Sequence, residues 1–188
     1  MRKKIEEFGK YVVIAGFKDV HIRNVEKFLK KIREERPSNT GVQFFDARYI
    51  ATWQHIYFAV LNALTAFKNK ENISRSVTME SLLFASAHHQ IRKATRILGI
   101  KPESTKIAVL IVGEDYHVVE STLSLVSQKL GAMRDDTVIK MSKKKTADIQ
   151  KIFGISNLET ETVTEEGDLE KAVTKLVIEH MALLAIQH

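Results

Sequence analysis

The sequence predicts an α+β fold in which a small mixed, partly antiparallel sheet is covered by helices, as a single domain over residues 1–188. Three observations favour it: a few short β-branched runs, a glycine turn between the first two of them, and two consecutive helices in the middle of the chain. Strand and helix do not alternate regularly, as they would in a doubly wound fold. With 188 residues, 44% of them hydrophobic, the chain can build a substantial core.

The strands are predicted from apolar runs rich in β-branched and aromatic residues. The weakest is the first, and the near-continuous run that ends at Gly113 is the clearest. Because Gly9 and Lys10 form a turn between the first two runs, we expect these to pair as an antiparallel hairpin. The predicted strands are residues 3–7, 11–17, 42–46, 107–113 and 158–163.

The helices are predicted from apolar residues at helical spacing and from residues that cap helix ends. Asp19, Thr78 and Asp168 are the expected N-caps of three of them. The predicted helices are residues 19–36, 50–68, 78–84, 89–98, 117–130, 146–153 and 168 to the C-terminus. In the second, Ile50, Trp53, Tyr57, Val60, Leu61 and Leu64 form one stripe. The acidic stretch of Glu159, Glu161, Glu165, Glu166 and Asp168 is expected to be a loop next to a helix N-terminus.

Two glycines are predicted to end helices in the left-handed conformation. Gly99 and Gly154 each follow an amphipathic helix and precede isoleucine. On that geometry Ile100 would contact Ala94, and Ile155 would contact Ile149.

No catalytic motif is present in the sequence. None of the eight glycines forms a phosphate-binding cluster, and Gly-x-Ser-x-Gly and His-Glu-x-x-His are both absent. Without cysteine, disulfides and thiolate metal sites are excluded. His88 and His89 point about 100° apart on a helix start, so an exposed pair is expected rather than a metal site. We therefore expect no enzyme activity, cofactor, metal or small-molecule substrate. An enzyme with a dispersed site stays open, and would show a deep pocket with converging polar groups.

The N-terminal segment has basic residues but no apolar stretch behind them, so it does not resemble a signal peptide. No apolar run approaches the roughly 20 residues that span a bilayer. We expect a cytoplasmic protein with no membrane partner.

The charge of the chain favours a polyanionic partner. Its formal net charge is +6, which makes nucleic acid the first partner to consider. Arg92 and Arg96 lie four residues apart and project from one helix face, with Lys93 beside them. Such spaced charges suit a phosphate backbone, and Lys143, Lys144 and Lys145 supply a second basic cluster. A solvated helix face is the equally weighted alternative.

The final helix is apolar on most of its circumference. Leu169, Ala172, Val173, Leu176, Leu183 and Leu184 form one stripe, and Val177, Ile178, Met181, Ala185 and Ile186 form much of another. Such a helix is either fully buried or partly covered by a partner. We expect Ile178 and Met181 to bind a protein partner, with the paired helices around Leu83 and Ile91 as the competing surface. Packing of one stripe in the core, with a modestly exposed second stripe, remains open.

Residues 78–100 resemble the TPRKB family, the kinase-binding subunit of the KEOPS complex. The resemblance rests on an acidic residue and an apolar helix, a short turn, Gln90-Ile91, and a helix that ends in Gly99-Ile100. The order of the other elements agrees over nearly the whole chain, including Phe17-Lys18-Asp19-Val20 after the first long strand. Ala87 departs from the glycine that the family often has in the turn. The chain is identified as a diverged, archaeal member.

The resemblance implies a non-catalytic subunit of the machinery that installs threonylcarbamoyladenosine on tRNA. It implies two partners: the small atypical kinase or ATPase subunit of KEOPS, and tRNA, including its 3′ end in archaeal members. A stand-alone RNA-binding domain is the other reading. Such a domain would carry aromatic and basic residues on an exposed strand, which the sequence lacks.

Overall fold

The computed structural model describes residues 1–164 and 167–185. Within these ranges the chain forms five strands and eight α-helices, joined in places by short 3-10 helices. The elements in chain order are β1 (Arg2–Ile5), β2 (Lys10–Lys18), α1 (Val25–Glu35), β3 (Thr40–Asp46), α2 (Trp53–Asn69), α3 (Val77–Ser86), α4 (Ile91–Leu98), β4 (Lys106–Gly113), α5 (Tyr116–Leu130), β5 (Met133–Arg134), α6 (Lys143–Phe153), α7 (Asn157–Val163) and α8 (Leu169–Ala185).

The strands form one open sheet in the order β1-β2-β4-β3, with β5 pairing with β2 beside β1. Every described strand pair is antiparallel. The predicted β1–β2 hairpin is confirmed, and Gly9 adopts φ +59° in its turn, a conformation that glycine takes without strain. The α+β fold class is therefore confirmed. β3 lies at the edge of the sheet.

Alternate residues of each central strand enter two different cores, because successive side chains point to opposite faces of a sheet. Ile14 and Leu110 lie in the first core, which α2, α3, α6 and α8 cover. Val13 and Ile111 lie in the second core, which α1 and α5 cover. The sheet is thus buried on both faces, which explains why β2 and β4 read as continuous apolar runs. The prediction of one domain over residues 1–188 stays a prediction.

Two of the predicted N-caps are wrong. Asp19 has φ +57°, and α1 begins six residues later, where the side chain of Asn24 accepts a hydrogen bond from the Lys27 amide at 2.8 Å. Between them Val20 and Ile22 are buried in the second core, so tertiary packing keeps this segment extended. Similarly α3 is capped by Ser76, not by the predicted Thr78.

The predicted last strand is wrong, because residues 157–163 form helix α7. Ser156 and Glu159 form a capping box at its start, in which each side chain satisfies the other residue's backbone amide. The threonines that suggested a strand bond back into the helix: the Thr160 hydroxyl donates to the Ser156 carbonyl, and the Thr162 hydroxyl donates to the Leu158 carbonyl.

Of the two glycine stops, one is confirmed and one is wrong. Gly154 has φ +68°, and the amide of buried Ile155 donates to the Gln150 carbonyl, as in a Schellman motif. Gly99 instead has φ −66°, and Ile100 lies in the second core, whereas Ala94 lies in the first. A Cβ at Gly99 would stand 2.4 Å from the Thr95 carbonyl oxygen, so lack of space explains this glycine.

The predicted cap of the last helix is confirmed. Asp168 accepts a hydrogen bond from the Lys171 amide at 3.0 Å, and α8 begins at Leu169. Glu165, Glu166 and Ile186 of the sequence predictions lie outside the described residues. No helix in the described ranges is long and apolar enough to cross a membrane.

Candidate partner-binding surfaces

The family-like segment, residues 78–100, forms the helix pair α3–α4 with a tight turn between them. The turn depends on Ala87, which adopts the left-handed conformation at φ +53°. Its amide donates to the Phe84 carbonyl at 2.9 Å, and the next amide, of His88, donates to the Leu83 carbonyl at 3.1 Å. Glycine adopts this conformation without the steric cost that alanine carries. The geometry therefore explains why a glycine suits this position.

Glu80, the acidic residue of this segment, has an architectural role. Its side chain is buried, and its two carboxylate oxygens accept the amides of Ile73 at 3.1 Å and Ser74 at 2.7 Å. These bonds fix the loop that leads into α3, because a carboxylate that accepts two backbone amides holds both in place. Glu80 is therefore not available to a partner.

His55 joins the start of α2 to the end of α3. Its imidazole is fully buried; Nδ1 accepts the Ala51 amide at 3.2 Å, and Nε2 lies 2.8 Å from the Ala85 carbonyl oxygen. An amide can only donate, so Nε2 carries the proton and donates to Ala85. Burial lowers the pKa of His55 to about 4, outweighing the bond to Ala85, which raises it. Nothing in the sequence signals this histidine, because a single residue within an apolar helix carries no motif.

The predicted basic ridge, Arg92, Lys93 and Arg96, lies on the exposed side of α4. Ala94 and Leu98 bury the opposite side, which fixes the direction in which the three cations point. None of the three forms an ion pair with any residue that the structure describes. The ridge therefore presents three uncompensated positive charges to solvent.

The two histidines before α4 are half-buried rather than exposed. The pKa of His88 is lowered, first by burial and then by the neighbouring charges of Lys93 and His89. No group of three or more histidine, cysteine or acidic side chains suited to a metal ion occurs among the described residues.

The second basic cluster is divided by the start of α6. Lys143 and Lys144 are exposed, but Lys145 is only 7% exposed. The Lys145 ammonium group donates to the carbonyls of Val138 at 2.9 Å and Lys140 at 3.1 Å. The pKa of Lys145 is lowered to about 8, first by burial and then by the charge of Lys106, against the opposing effect of Asp46. Lys145 therefore stabilises the loop before α6. Only Lys143 and Lys144 of this cluster present their charges to solvent.

A cavity of about 410 Å³ opens beside this cluster. Cationic side chains dominate its lining: Arg48, Lys106, Lys140, Lys144 and Lys145. The buried carboxylate of Asp46 at its wall is already engaged, because it accepts the Ser104 hydroxyl at 2.8 Å and pairs with Arg48. Asp46 therefore serves the structure of this wall, and Ser104 and Arg48 are its partners.

The apolar candidates divide into buried and exposed side chains. Leu83 is 1% exposed and Met181 is fully buried, so both belong to the first core and neither can contact a partner directly. Ile91 is 42% exposed at the start of α4, and Ile178 is half-buried on α8. On α8, Leu183 is 51% exposed, which makes it the most accessible large apolar side chain of that helix.

A set of aromatic side chains on α2 completes the exposed apolar surface. Trp53 and Phe58 are exposed, and Tyr57 lies between them with ring centroids 5.9 Å and 6.0 Å from theirs. The sequence stripe grouped Trp53 and Tyr57 with core positions of the same helix. Aromatic residues are enriched where proteins meet, so this set is a further candidate contact surface.

Comparisons with known proteins show the family to which the chain belongs. The family model described as kinase binding protein CGI-121 matches residues 17–185, which includes every element from the end of β2 to α8. A curated protein of Methanocaldococcus jannaschii, regulatory protein Cgi121, is 33% identical over 119 residues, covering 62% of this chain and 74% of the relative. The chain belongs to the kinase-binding protein CGI-121 family, the TPRKB family that residues 78–100 indicate.

Proposed function

We propose that this chain is a cytoplasmic regulatory subunit that binds the atypical kinase or ATPase subunit of KEOPS and helps to recruit tRNA for threonylcarbamoyladenosine modification, without catalysis of its own. The observation that carries the proposal is the family match over residues 17–185. Two features of the surface support it: the exposed Leu183 and half-buried Ile178 on terminal helix α8, and an unpaired basic ridge on α4.

The proposed kinase-docking surface is the outer side of α8. The inner side of that helix packs against α2, α3, α6 and α7, which leaves Ile178 and Leu183 toward solvent. An apolar side chain that is half exposed on a packed helix gains free energy when a partner covers it, at about 25 cal/mol per Å². Ile91 on α4 is the competing anchor.

Replacing Leu183 with Glu tests this surface. We expect the variant to stay folded, because the side chain is already half exposed, and to bind the KEOPS kinase subunit from the same genome at least about tenfold more weakly. Met133→Glu is the matched control, since Met133 is 60% exposed on β5 and lies away from α8. If Leu183→Glu binds as wild type and Ile91→Glu does not, the α3–α4 pair is the docking surface instead.

The proposed tRNA contact is the basic ridge of Arg92, Lys93 and Arg96, together with Lys143 and Lys144. Each phosphate neutralised contributes roughly −0.7 to −0.9 to the slope of log affinity against log salt. Replacing Arg92 and Arg96 with Ala should therefore reduce that slope by about one to two units. The control is Lys27→Ala with Lys30→Ala, which removes two exposed cations from α1. An unchanged slope in the Arg92/Arg96 variant would identify the ridge as a solvated helix face.

The proposed lack of catalysis is tested on the isolated chain. We expect no ATP hydrolysis and no phosphoryl transfer, because no glycine-rich loop is available to hold the phosphates. Turnover that persists through several purification steps, after removal of bound kinase, would contradict this part of the proposal.

A further inference from the structure

A groove runs along the free edge of β3, and the α3–α4 pair forms part of its wall through residues such as Thr78 and Thr95. β3 pairs with β4 on one side only, so the other side of its backbone has no strand partner among the described residues. Along that side lies a cavity of about 510 Å³, bounded by α1 on one wall and by α3 and the end of α4 on the other. Its floor is residues 39–44, of which 40–44 belong to β3 and form about 17 Å of extended chain.

The groove has the form that accepts a further strand. An unpaired edge offers a row of N–H and C=O groups, and an added peptide strand satisfies them in register. Gly41, Val42 and Gln43 on the floor are half-buried rather than covered. The only side chain that caps the edge is that of Gln43, whose amide donates to the Phe44 carbonyl at 2.9 Å.

The positive charge of the groove favours an acidic binding partner. Three cationic side chains, Lys10, Arg33 and Arg36, line it, and the lining contains no aspartate or glutamate. Lys10 pairs with Glu114 at 2.5 Å, but neither arginine forms an ion pair with a described residue. Both arginines sit at the end of α1, so they flank one end of the strand edge. A segment with acidic side chains would compensate them.

We propose that this groove binds an acidic, extended peptide segment of another protein by adding it as a strand beside β3. A second copy of the chain fits poorly, because a two-fold pairing of β3 edges would bring like charges together. Single-stranded nucleic acid fits poorly too, because the only aromatic ring in the lining, Phe44, is buried and offers no face for base stacking. The proposed strand partner, the free edge of β3, is distinct from α8 and from the side chains of Arg92, Lys93 and Arg96, none of which lines the groove.

The test uses the full chain and a fluorescent seven-residue peptide in which valine and glutamate alternate. We expect saturable binding by fluorescence anisotropy, slowed hydrogen exchange at the outward-facing amides of Val42 and Phe44, and no binding of the matching valine–lysine peptide. Arg33→Glu with Arg36→Glu should weaken binding at least about tenfold, because like charges then face the peptide. Lys27→Glu with Lys30→Glu makes the same charge change on α1 outside the groove, and should alter affinity by less than about twofold.

If charge reversal unfolds the end of α1, the neutral pair Arg33→Gln with Arg36→Gln replaces it. Its affinity for the acidic peptide should lie between that of wild type and the roughly tenfold weaker binding expected of the charge-reversed pair. Equal weakening by the groove pair and the control pair would overturn the proposal, as would binding without protection of the Val42 and Phe44 amides. Self-association of the chain that protects the same amides would identify a second copy as the occupant. Protection of the same amides by an oligouridine, with none by the acidic peptide, would identify nucleic acid. Occupancy by a second copy or by nucleic acid would also overturn the proposal of an acidic peptide.

Discussion

Acidification should destabilise the fold through His55, the histidine that holds the end of α3. In the native state both of its nitrogens are engaged, with the Ala51 amide donating to Nδ1 and Nε2 donating to the Ala85 carbonyl. A proton on Nδ1 would face the Ala51 amide, so two donors would meet and that hydrogen bond would be lost. This geometry and full burial agree with a folded-state pKa of about 4.

The size of the effect follows from the two pKa values. The ordinary pKa is 6.5 and the folded value is about 4, so between these values the unfolded chain binds a proton that the folded chain does not. Stability is therefore fully present above pH 6.5 and falls as the pH drops. At about 1.4 kcal/mol per pH unit, the loss from pH 7.5 to pH 5.0 is about 2 kcal/mol.

Urea unfolding of wild type and His55→Phe at pH 7.5 and pH 5.0 measures this contribution. At pH 7.5 the variant should be less stable by about 3 kcal/mol, because the Ala51 amide and the Ala85 carbonyl lose their partner. That deficit should shrink by about 2 kcal/mol at pH 5.0, since only wild type carries the titrating group. If the deficit is the same at both pH values, His55 does not stay neutral in the fold and the reasoning fails.

Two further predictions concern the turn after α3 and the buried lysine of α6. Ala87→Gly should raise the free energy of unfolding by about 0.5–1 kcal/mol, because the left-handed turn no longer carries a Cβ, whereas Ala147→Gly, at an exposed position inside α6, should lower it by a similar amount; thermal unfolding of both variants checks the opposite signs. Raising the pH from 7.5 to 9.5 should stabilise wild type relative to Lys145→Met by about 2 kcal/mol, because the unfolded amine keeps its proton up to its ordinary pKa of 10.5, while the buried one releases it near 8; urea unfolding that gives parallel pH profiles for the two proteins would contradict the buried ammonium.

The central sheet could be predicted from the sequence because its signals are local. The apolar run of β4 and the hairpin glycine at Gly9 specify strand and turn without reference to the rest of the chain. The start of α1 could not be predicted, because burial of Val20 and Ile22 against the sheet overrides the capping potential of Asp19. α7 was missed for a related reason: threonine favours strands on average, but its hydroxyl can also bond to a helix carbonyl.

The candidate surfaces were predictable in part. Arg92, Lys93 and Arg96 lie on one exposed face because helical spacing alone sets their direction. Lys145 and Met181 could not be placed, since a lysine that meets two carbonyls and a methionine that packs among other helices look the same in sequence as their exposed neighbours. The free edge of β3 depends on strand order, which no local pattern encodes.

A titration of this chain with the KEOPS kinase subunit from the same genome tests the central claim most directly. Isothermal titration calorimetry should show saturable binding with a negative heat-capacity change, because apolar surface on α8 is buried in the complex. Hydrogen exchange in the complex should be slowed around Ile178 and Leu183 and unchanged along β3. Absence of binding at micromolar concentrations, or protection that spares α8 entirely, would contradict the account.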